Sequence, residues 1–446
     1  MLDQYRLPAK SECSDHTSVA LRVCLDARLT SGLSGGVEQV IIGLAAGLSQ
    51  LTEGNEEYYF LTYKGAETWL RPYIAGPCRL LLCNRRPASK LKARIRSIFP
   101  SVRRAAALLR SLPFWPVRIP VSDGTIERAG IDVMHFTMQD AFLTGIPNIY
   151  HPWDLQHLHL PHYFSRYEYR TRERRYRMFC RYARMVAVAT QWIKNDIMSK
   201  YDLGDDLVRV VPLAPPVQIY PVPSHNDVAE ARQRFVLPSN FIYYPAQTWP
   251  HKNHLALFDA LAILRDRYSL VVPLVCSGWL NEFFPVIKRR MQELGLASQV
   301  RFLGFVSPLE VQCLYRLCRA VVFPSKFEGW GLPVTEAFFA GVPVACSNVT
   351  SLPEVAGDAA LLFNPDDPAE IAAAIRRLWT DDDLCRNLVE RGRRRVSGLS
   401  WEKTARIFRA HYRRIAGRPL TAEDRALIAE SMSQVVMPTL ADTMGA

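Results

Sequence analysis

AVVFPSKFEGWGLPVTEAFFAGVPVACS, residues 320–347, is the stretch that decides the fold class. Residues 320–325 form an uncharged run with two valines and a phenylalanine, which predicts a buried strand. A loop with two glycines follows, and a helix is expected from Pro333, a favoured first helical residue, to residue 340. VPVACS (342–347) predicts the next strand. Strand, glycine loop, helix and strand make the unit of a parallel α/β sheet. The backbone N–H groups of Gly329, Trp330, Gly331 and Leu332, with the helix N-terminus behind them, form an anion site. Glu328 and Glu336 bracket that loop. Were both on one helix, eight positions would separate them by about 12 Å along the axis, too far for an acid/base dyad. They suit hydroxyl groups at two ends of an extended ligand.

Working outward, the same alternation continues. Strands are expected at 241–246, 269–278 and 300–305, with helices near 254–266, 282–294, 308–318 and 368–379. In YYPAQTWPHKNH (243–254), Lys252 stands just before a helix N-terminus, where its ammonium offers a mobile charge for phosphate. A merely solvated lysine is the plainer alternative for that position. Two such loops at the carboxyl ends of parallel strands lie where doubly wound sheets bind ligands. The first half repeats the architecture. VALRVCLD (19–26), the glycine turn TSGLSGG (30–36), a helix over 37–51 and YYFLTY (58–63) open it; strands at 131–136, 146–152 and 184–190 and a helix over 190–201 follow. PLAPPVQIYPVPS (212–224) has five prolines in thirteen residues and reads as a linker.

The expected organisation is an N-terminal extension (1–18), a first domain (19–211) with a basic insertion (84–122), the linker (212–224), a second domain (225–399), a helix (400–417) and a tail (418–446) without clear elements. The chain of 446 residues carries 55 Lys and Arg against 43 Asp and Glu, a formal charge of +12, which favours polyanionic partners. Residues 84–122 hold ten Lys or Arg and no acid, interleaved with apolar residues. That mixture reads as a segment lying on an anionic bilayer, or as a solvated insertion with one face on the core. No nucleic-acid-binding pattern accompanies it, so no nucleic acid partner is expected. SRYEYRTRERRYRMFCRYAR (165–184) either extends the basic face or forms a salt-bridged helix. The ten cysteines are scattered without Cys-x2-Cys, which suits buried reduced thiols in a cytoplasmic protein. His157, His159 and His162 with Asp154 make no closed ligand set, so no metal is expected. No secretory leader and no membrane span are expected either.

FEGWGLPVTE, with AFFAGVPV and SLPEVAGDAALLF after it, resembles the family-4 retaining glycosyltransferases. The resemblance covers roughly residues 20–417, and PAQTWPHKNH and HPWDLQHLHLPHYF are similar to a branch with bacterial mannosyltransferases. It implies the GT-B fold, two Rossmann-like doubly wound parallel-sheet domains facing across a cleft. It implies transfer of a hexose from a nucleotide diphosphate sugar, GDP-mannose favoured over a UDP-sugar, without cofactor or metal. The implied acceptor is a surface polysaccharide or lipid-linked glycan at the cytoplasmic side of a membrane, to which the enzyme attaches peripherally. Implied roles are Glu328 on the donor sugar, Gly329, Trp330, Gly331 and Leu332 on sugar and diphosphate, and Lys252 on the diphosphate. Glu336 would hold the ribose, the backbone at Phe305 and Val306 the base, and Gly35 and Gly36 the phosphates or acceptor. The chain departs from the family twice. Gln247 stands where many members carry an arginine, and Trp153 stands where many carry a histidine before Asp154. His151 and His157 are then the candidate sugar contacts beside Asp154. A non-catalytic, membrane-associated scaffold is the alternative that these departures leave.

Overall fold

Two all-parallel sheets organise the chain in a computed structural model that describes residues 19–32, 35–84 and 116–432. The first contains β1 (Leu21–Asp26), β2 (Glu56–Tyr63), β3 (Cys78–Cys83), β4 (Val133–Phe136), β5 (Asn148–Tyr150), β6 (Met185–Val188) and β7 (Val208–Val210), in the order β3-β2-β1-β4-β5-β6-β7. The second contains β8 (Ile242–Pro245), β9 (Leu274–Ser277), β10 (Val300–Phe302), β11 (Ala320–Phe323), β12 (Val344–Ser347) and β13 (Ala360–Phe363), in the order β10-β9-β8-β11-β12-β13. Helices cover both faces, so β4, β6, β9, β11 and β12 are buried at every residue and read as continuous apolar runs without alternation. This is the doubly wound α/β architecture expected, in two copies. Strand order reverses between β1 and β4 and again between β8 and β11. A crevice opens at each reversal, because the connections on either side leave in opposite directions.

The linker residues contain one 3-10 turn, Pro216–Gln218, and bury Leu213, Ala214 and Val217. The helix Trp401–Ile415 returns to the first sheet's side of the molecule. Its Trp401 is packed onto the helix Gly36–Ser49 at Gly43 and Gly47, where a Cβ would meet the tryptophan at 2.3 Å. Tyr412 Oη lies 2.8 Å from Nδ1 of the buried His135, and Arg413 pairs with Glu56 at 2.7 Å.

Several elements differ from the sequence expectation. β3, β7 and β13 were not anticipated; β3 is an edge strand of mixed burial, and β7 has only three residues. The helices His225–Arg234 and Asp382–Val396 were also missed. Residues 418–432 are not featureless, since a helix spans Ala422–Met432. It starts at a reciprocal cap, Asp424 N–H to Thr421 Oγ1 at 3.0 Å and Thr421 N–H to Asp424 Oδ2 at 2.9 Å. The stretch 165–184 resolves as a salt-bridged helix, Arg166–Tyr182, with Glu173 paired to Arg177 and Arg175 to Asp140. Of the basic insertion (84–122), residues 85–115 lie outside the described residues, as do residues 1–18.

Candidate functional site

The loops after β1, β5, β8 and β11 meet at the two strand-order reversals. After β11 the chain runs through Phe327, Glu328 and Gly329 to Gly331, whose φ of 97° caps the helix Leu332–Ala340. That left-handed backbone favours glycine. The Glu328 N–H donates to Thr350 Oγ1 at 3.1 Å, which fixes the loop against the β12 connection. After β8, a 3-10 turn at Pro250–Lys252 leads through Asn253, at φ 60°, into the helix His254–Tyr268. Asn253 Nδ2 donates to Pro324 O at 3.1 Å and Pro365 O at 2.7 Å, stapling this loop to the one after β11. Lys252 Nζ thereby reaches Glu328 Oε1 at 2.5 Å, with both side chains largely sheltered, and lies 5.4 Å from the Phe323 ring centre.

The first domain supplies the opposite wall. Gly35 has φ 53° and ψ −130°, and a Cβ there would lie 3.1 Å from Gln247 Nε2; one at Gly36 would lie 3.2 Å from Leu332 Cδ1. The turn before them is held by the buried Glu38, which accepts from Ser31 Oγ and from the Gly32 N–H, both at 2.7 Å. A Cβ at Gly329 would meet the carbonyl of Trp153 at 2.7 Å, so the loop after β5 touches the loop after β11 directly. Asp154 lies beside this contact. Burial holds its carboxyl above the usual carboxylate range, opposed by the Gln156 N–H that it accepts at 3.0 Å.

Glu336 projects from the helix Leu332–Ala340 and accepts from Tyr315 Oη at 2.7 Å. Desolvation pushes its carboxyl up from 4.5 to about 7, against the opposing effect of the Tyr315 hydrogen bond. Phe305 is exposed and comes close to Gly32, whereas Val306 is buried. Gln247 accepts from Trp249 Nε1 at 2.8 Å and brings no charge. Trp330 is buried beneath the loop.

The histidine candidates divide. His151 is 1% exposed, lies 3.9 Å from Trp153 in a stacked arrangement, and has neither ring nitrogen hydrogen-bonded among the described residues. Burial lowers its pKa to about 3. His157 is a correction. Its Nε2 lies 3.2 Å from Glu173, which also takes Arg177 and Tyr201, so the ring belongs to a buried network within the first domain and does not stand in the cleft. Trp153 has φ 70°, and its Nε1 donates to Thr137 O at 3.0 Å. Among the described residues no three His, Cys, Asp or Glu gather in a way that could hold a metal.

Residues missed at first are those that position the site: Glu38, Asn253, Tyr315, Thr350 and Glu354. Glu354 accepts the N–H groups of Gln191 and Trp192 at 2.8 and 2.9 Å, at the N-terminus of the helix Gln191–Tyr201, and so ties the two domains together. Its position in SLPEVAGD was a signal that went unused.

Residues 227–395 match the family model for glycosyl transferases group 1. The O-antigen chain mannosyltransferase B of Escherichia coli is 31% identical over 221 residues, 49% of this chain and 58% of that protein. The serotype-specific mannosyltransferase WbdA, also of Escherichia coli, is 34% identical over 186 residues, 41% of this chain and 23% of that protein. The chain thus spans just over half the length of the first relative and under a quarter of the second. HepE of Anabaena, solved in complex with UDP and glucose, superposes with a TM-score of 0.63 at 18% identity, covering 88% of this chain and 99% of that one. Sucrose-phosphate synthase from Thermosynechococcus elongatus gives 0.65 at 19% identity over 89% and 99%. The second domain, over residues 227–395, is thus similar to the group 1 glycosyl transferases, and the two parallel sheets share the fold of these solved structures.

Proposed function

We propose that the chain transfers a hexose, with mannose favoured, from a nucleoside diphosphate sugar to a glycan or lipid-linked glycan, with retention at the anomeric carbon. The observation that carries this reading is the Lys252–Glu328 ion pair, set where strand order reverses and facing Gly35 and Asp154 across the cleft. Lys252 can leave Glu328 for a diphosphate, and Glu328 is then free to accept sugar hydroxyls. The N–H groups of Gly329–Leu332 and the glycine turn at Gly35 and Gly36 bracket the same charge. Glu336, beside Tyr315, is the acceptor for ribose hydroxyls, and the surface between Phe305 and Val306 meets the base.

In this reading the bond from the anomeric carbon to the diphosphate oxygen breaks as the acceptor oxygen attacks the same face. The leaving diphosphate takes the acceptor's proton. The protein's residues position the two reactants and neutralise the charge that develops. No cofactor or metal is part of the proposal. GDP-mannose as donor is supported by the mannosyltransferase names of the relatives and by PHKNH; HepE with UDP keeps a UDP-sugar as the second reading. A peripheral, cytoplasmic-side location is proposed from the net charge of +12 and the acid-free run 84–122. No helix among the described residues is long and apolar enough to cross a membrane.

Thermal unfolding with GDP, UDP, ADP and CMP, then with the matching sugar nucleotides, tests the donor. A ligand at a hundredfold excess over its Kd stabilises the folded state by about 2.7 kcal/mol. A shift with GDP alone, lost in Glu336→Ala, is the expected result; a shift with UDP alone replaces the donor. No shift with any nucleotide would leave the non-catalytic scaffold as the better description.

A further inference from the structure

A cavity of about 790 Å³ opens in the first domain at the carboxyl ends of β1, β2 and β3, beside the loop that follows β4. Six charged side chains line it, three guanidinium groups and three carboxylates. Arg28 is held by Asp26 through two parallel hydrogen bonds, Nε to Oδ1 at 2.8 Å and Nη2 to Oδ2 at 2.7 Å, and lies over the Phe142 ring. Arg175 is held by Asp140 at 2.8 Å and by the carbonyl of Arg118 at 3.0 and 3.2 Å. Asp123 accepts from the Thr125 N–H at 3.0 Å. Arg172 is different. Its guanidinium stacks 4.7 Å from the centre of the Phe164 ring and has no hydrogen bond or ion pair among the described residues. Next to it in the same wall, the buried Thr171 hydroxyl has no partner among the described residues either.

A half-buried guanidinium without a hydrogen-bond partner is costly, and neither stacking on the Phe164 ring nor the nearby Asp154 carboxylate supplies one. An arginine fork is also the group best shaped to take two oxygens of a phosphate or carboxylate. The cavity adjoins the donor loops without merging into them. Asp154 and His251, both at the cleft, lie within electrostatic range of Arg172.

We infer that this cavity receives the acceptor, and that the acceptor bears an anionic group, a phosphate or a sugar carboxylate, which Arg172 binds. The inference rests on the transferase reading above and adds the chemical class of the acceptor. Neutral sugar rings fit against Tyr63 and Phe142, and the anionic group lies at the Arg172 end, with the Thr171 hydroxyl as a further donor.

The test is calorimetric titration of the full chain, with its donor site first saturated by GDP or by UDP. Three probes are compared: methyl α-mannoside, its 6-phosphate, and methyl α-glucuronide. The expected result is binding of the charged glycosides about tenfold tighter than the neutral one, as one charge-assisted pair gives. Arg172→Gln should erase that preference, and Arg172→Lys should restore part of it, with nucleotide affinity unchanged in both. A phosphate-only preference identifies phosphate as the group, and a preference for both charged probes assigns the carboxylate as well. Equal affinity for all three probes, no binding by any, or a preference that survives Arg172→Gln overturns the inference. So does loss of nucleotide affinity in Arg172→Gln, which would assign the arginine to the donor diphosphate. Failure of both GDP and UDP to bind the unmodified chain would instead count against the transferase reading itself.

Discussion

Lys252 Nζ and Glu328 Oε1 lie 2.5 Å apart, although the two residues come from different loops and from positions 76 apart in the chain. Each neutralises the other in a place largely closed to water, so removing one leaves an uncompensated charge. Lys252→Met should lower thermal stability, and the double variant Lys252→Met, Glu328→Gln should recover it. Transfer should not recover. Loss of the diphosphate's counter-charge is expected to cost about a hundredfold or more in kcat. Unfolding curves and initial rates on the three variants check this. Activity restored in the double variant would show that the pair serves only the fold.

Gly35 is the second point where a single atom decides. At φ 53° and ψ −130° an L side chain is strained, and its Cβ would press on Gln247 Nε2 from the other domain at 3.1 Å. Gly35→Ala should destabilise the protein by about 1–3 kcal/mol. It should also weaken nucleotide binding, because the turn can no longer approach the opposite loop. Unfolding and titration with GDP and UDP give both numbers. Unchanged affinity would remove the turn from the donor site.

The parallel sheets and most strands were legible because buried strands between helices are written as uninterrupted apolar runs, AVVF and VACS among them. β3 escaped because it is an edge strand whose Arg79 and Leu82 are exposed, and β7 because three residues carry no period. Glu328, Lys252 and Glu336 stood out in the sequence from their place beside loops and helix starts, and the structure brings the first two together. Tyr315, Asn253 and Thr350 were not, since each acts through one hydrogen bond to a residue distant in sequence. His157 misled for the complementary reason: its neighbours in sequence lie near the cleft, but its partner Glu173 is on a helix behind.

Glu336 predicts a pH dependence. Its pKa is raised by burial from 4.5 to about 7, so below pH 4.5 it is protonated whether the chain is folded or not and contributes nothing to the slope. Between these values the folded state holds more protons, and the stability associated with Glu336 falls as pH rises, levelling off above about pH 7. Ribose hydroxyls that donate to the carboxylate would favour its ionised form, so nucleotide affinity should rise as pH increases through 7, with proton release on binding. Calorimetry in two buffers of different ionisation enthalpy measures that release. Glu336→Gln should abolish it and flatten the stability slope between pH 4.5 and 7; an unchanged release would place the titrating group elsewhere.

The helix Trp401–Ile415 follows the second domain in sequence yet is built into the first. Trp401 is 4% exposed, fills a notch made by the bare backbone at Gly43 and Gly47, and donates from Nε1 to Pro215 O at 3.3 Å. His135 beneath it has one ring nitrogen satisfied by Tyr412 and packs on Phe408, so the first sheet depends on this helix for part of its cover. Trp401→Ala should cost about 3–5 kcal/mol, the range for deleting a large buried aromatic. Gly43→Val should cost a comparable amount from the opposite side by forcing the indole out. Because the notch lies away from Glu328, Lys252 and Glu336, nucleotide affinity of the fraction that remains folded should change little. Denaturant unfolding followed by titration separates these outcomes. If Trp401→Ala left stability intact, the late helix would be an appendage to the first domain and not part of its core.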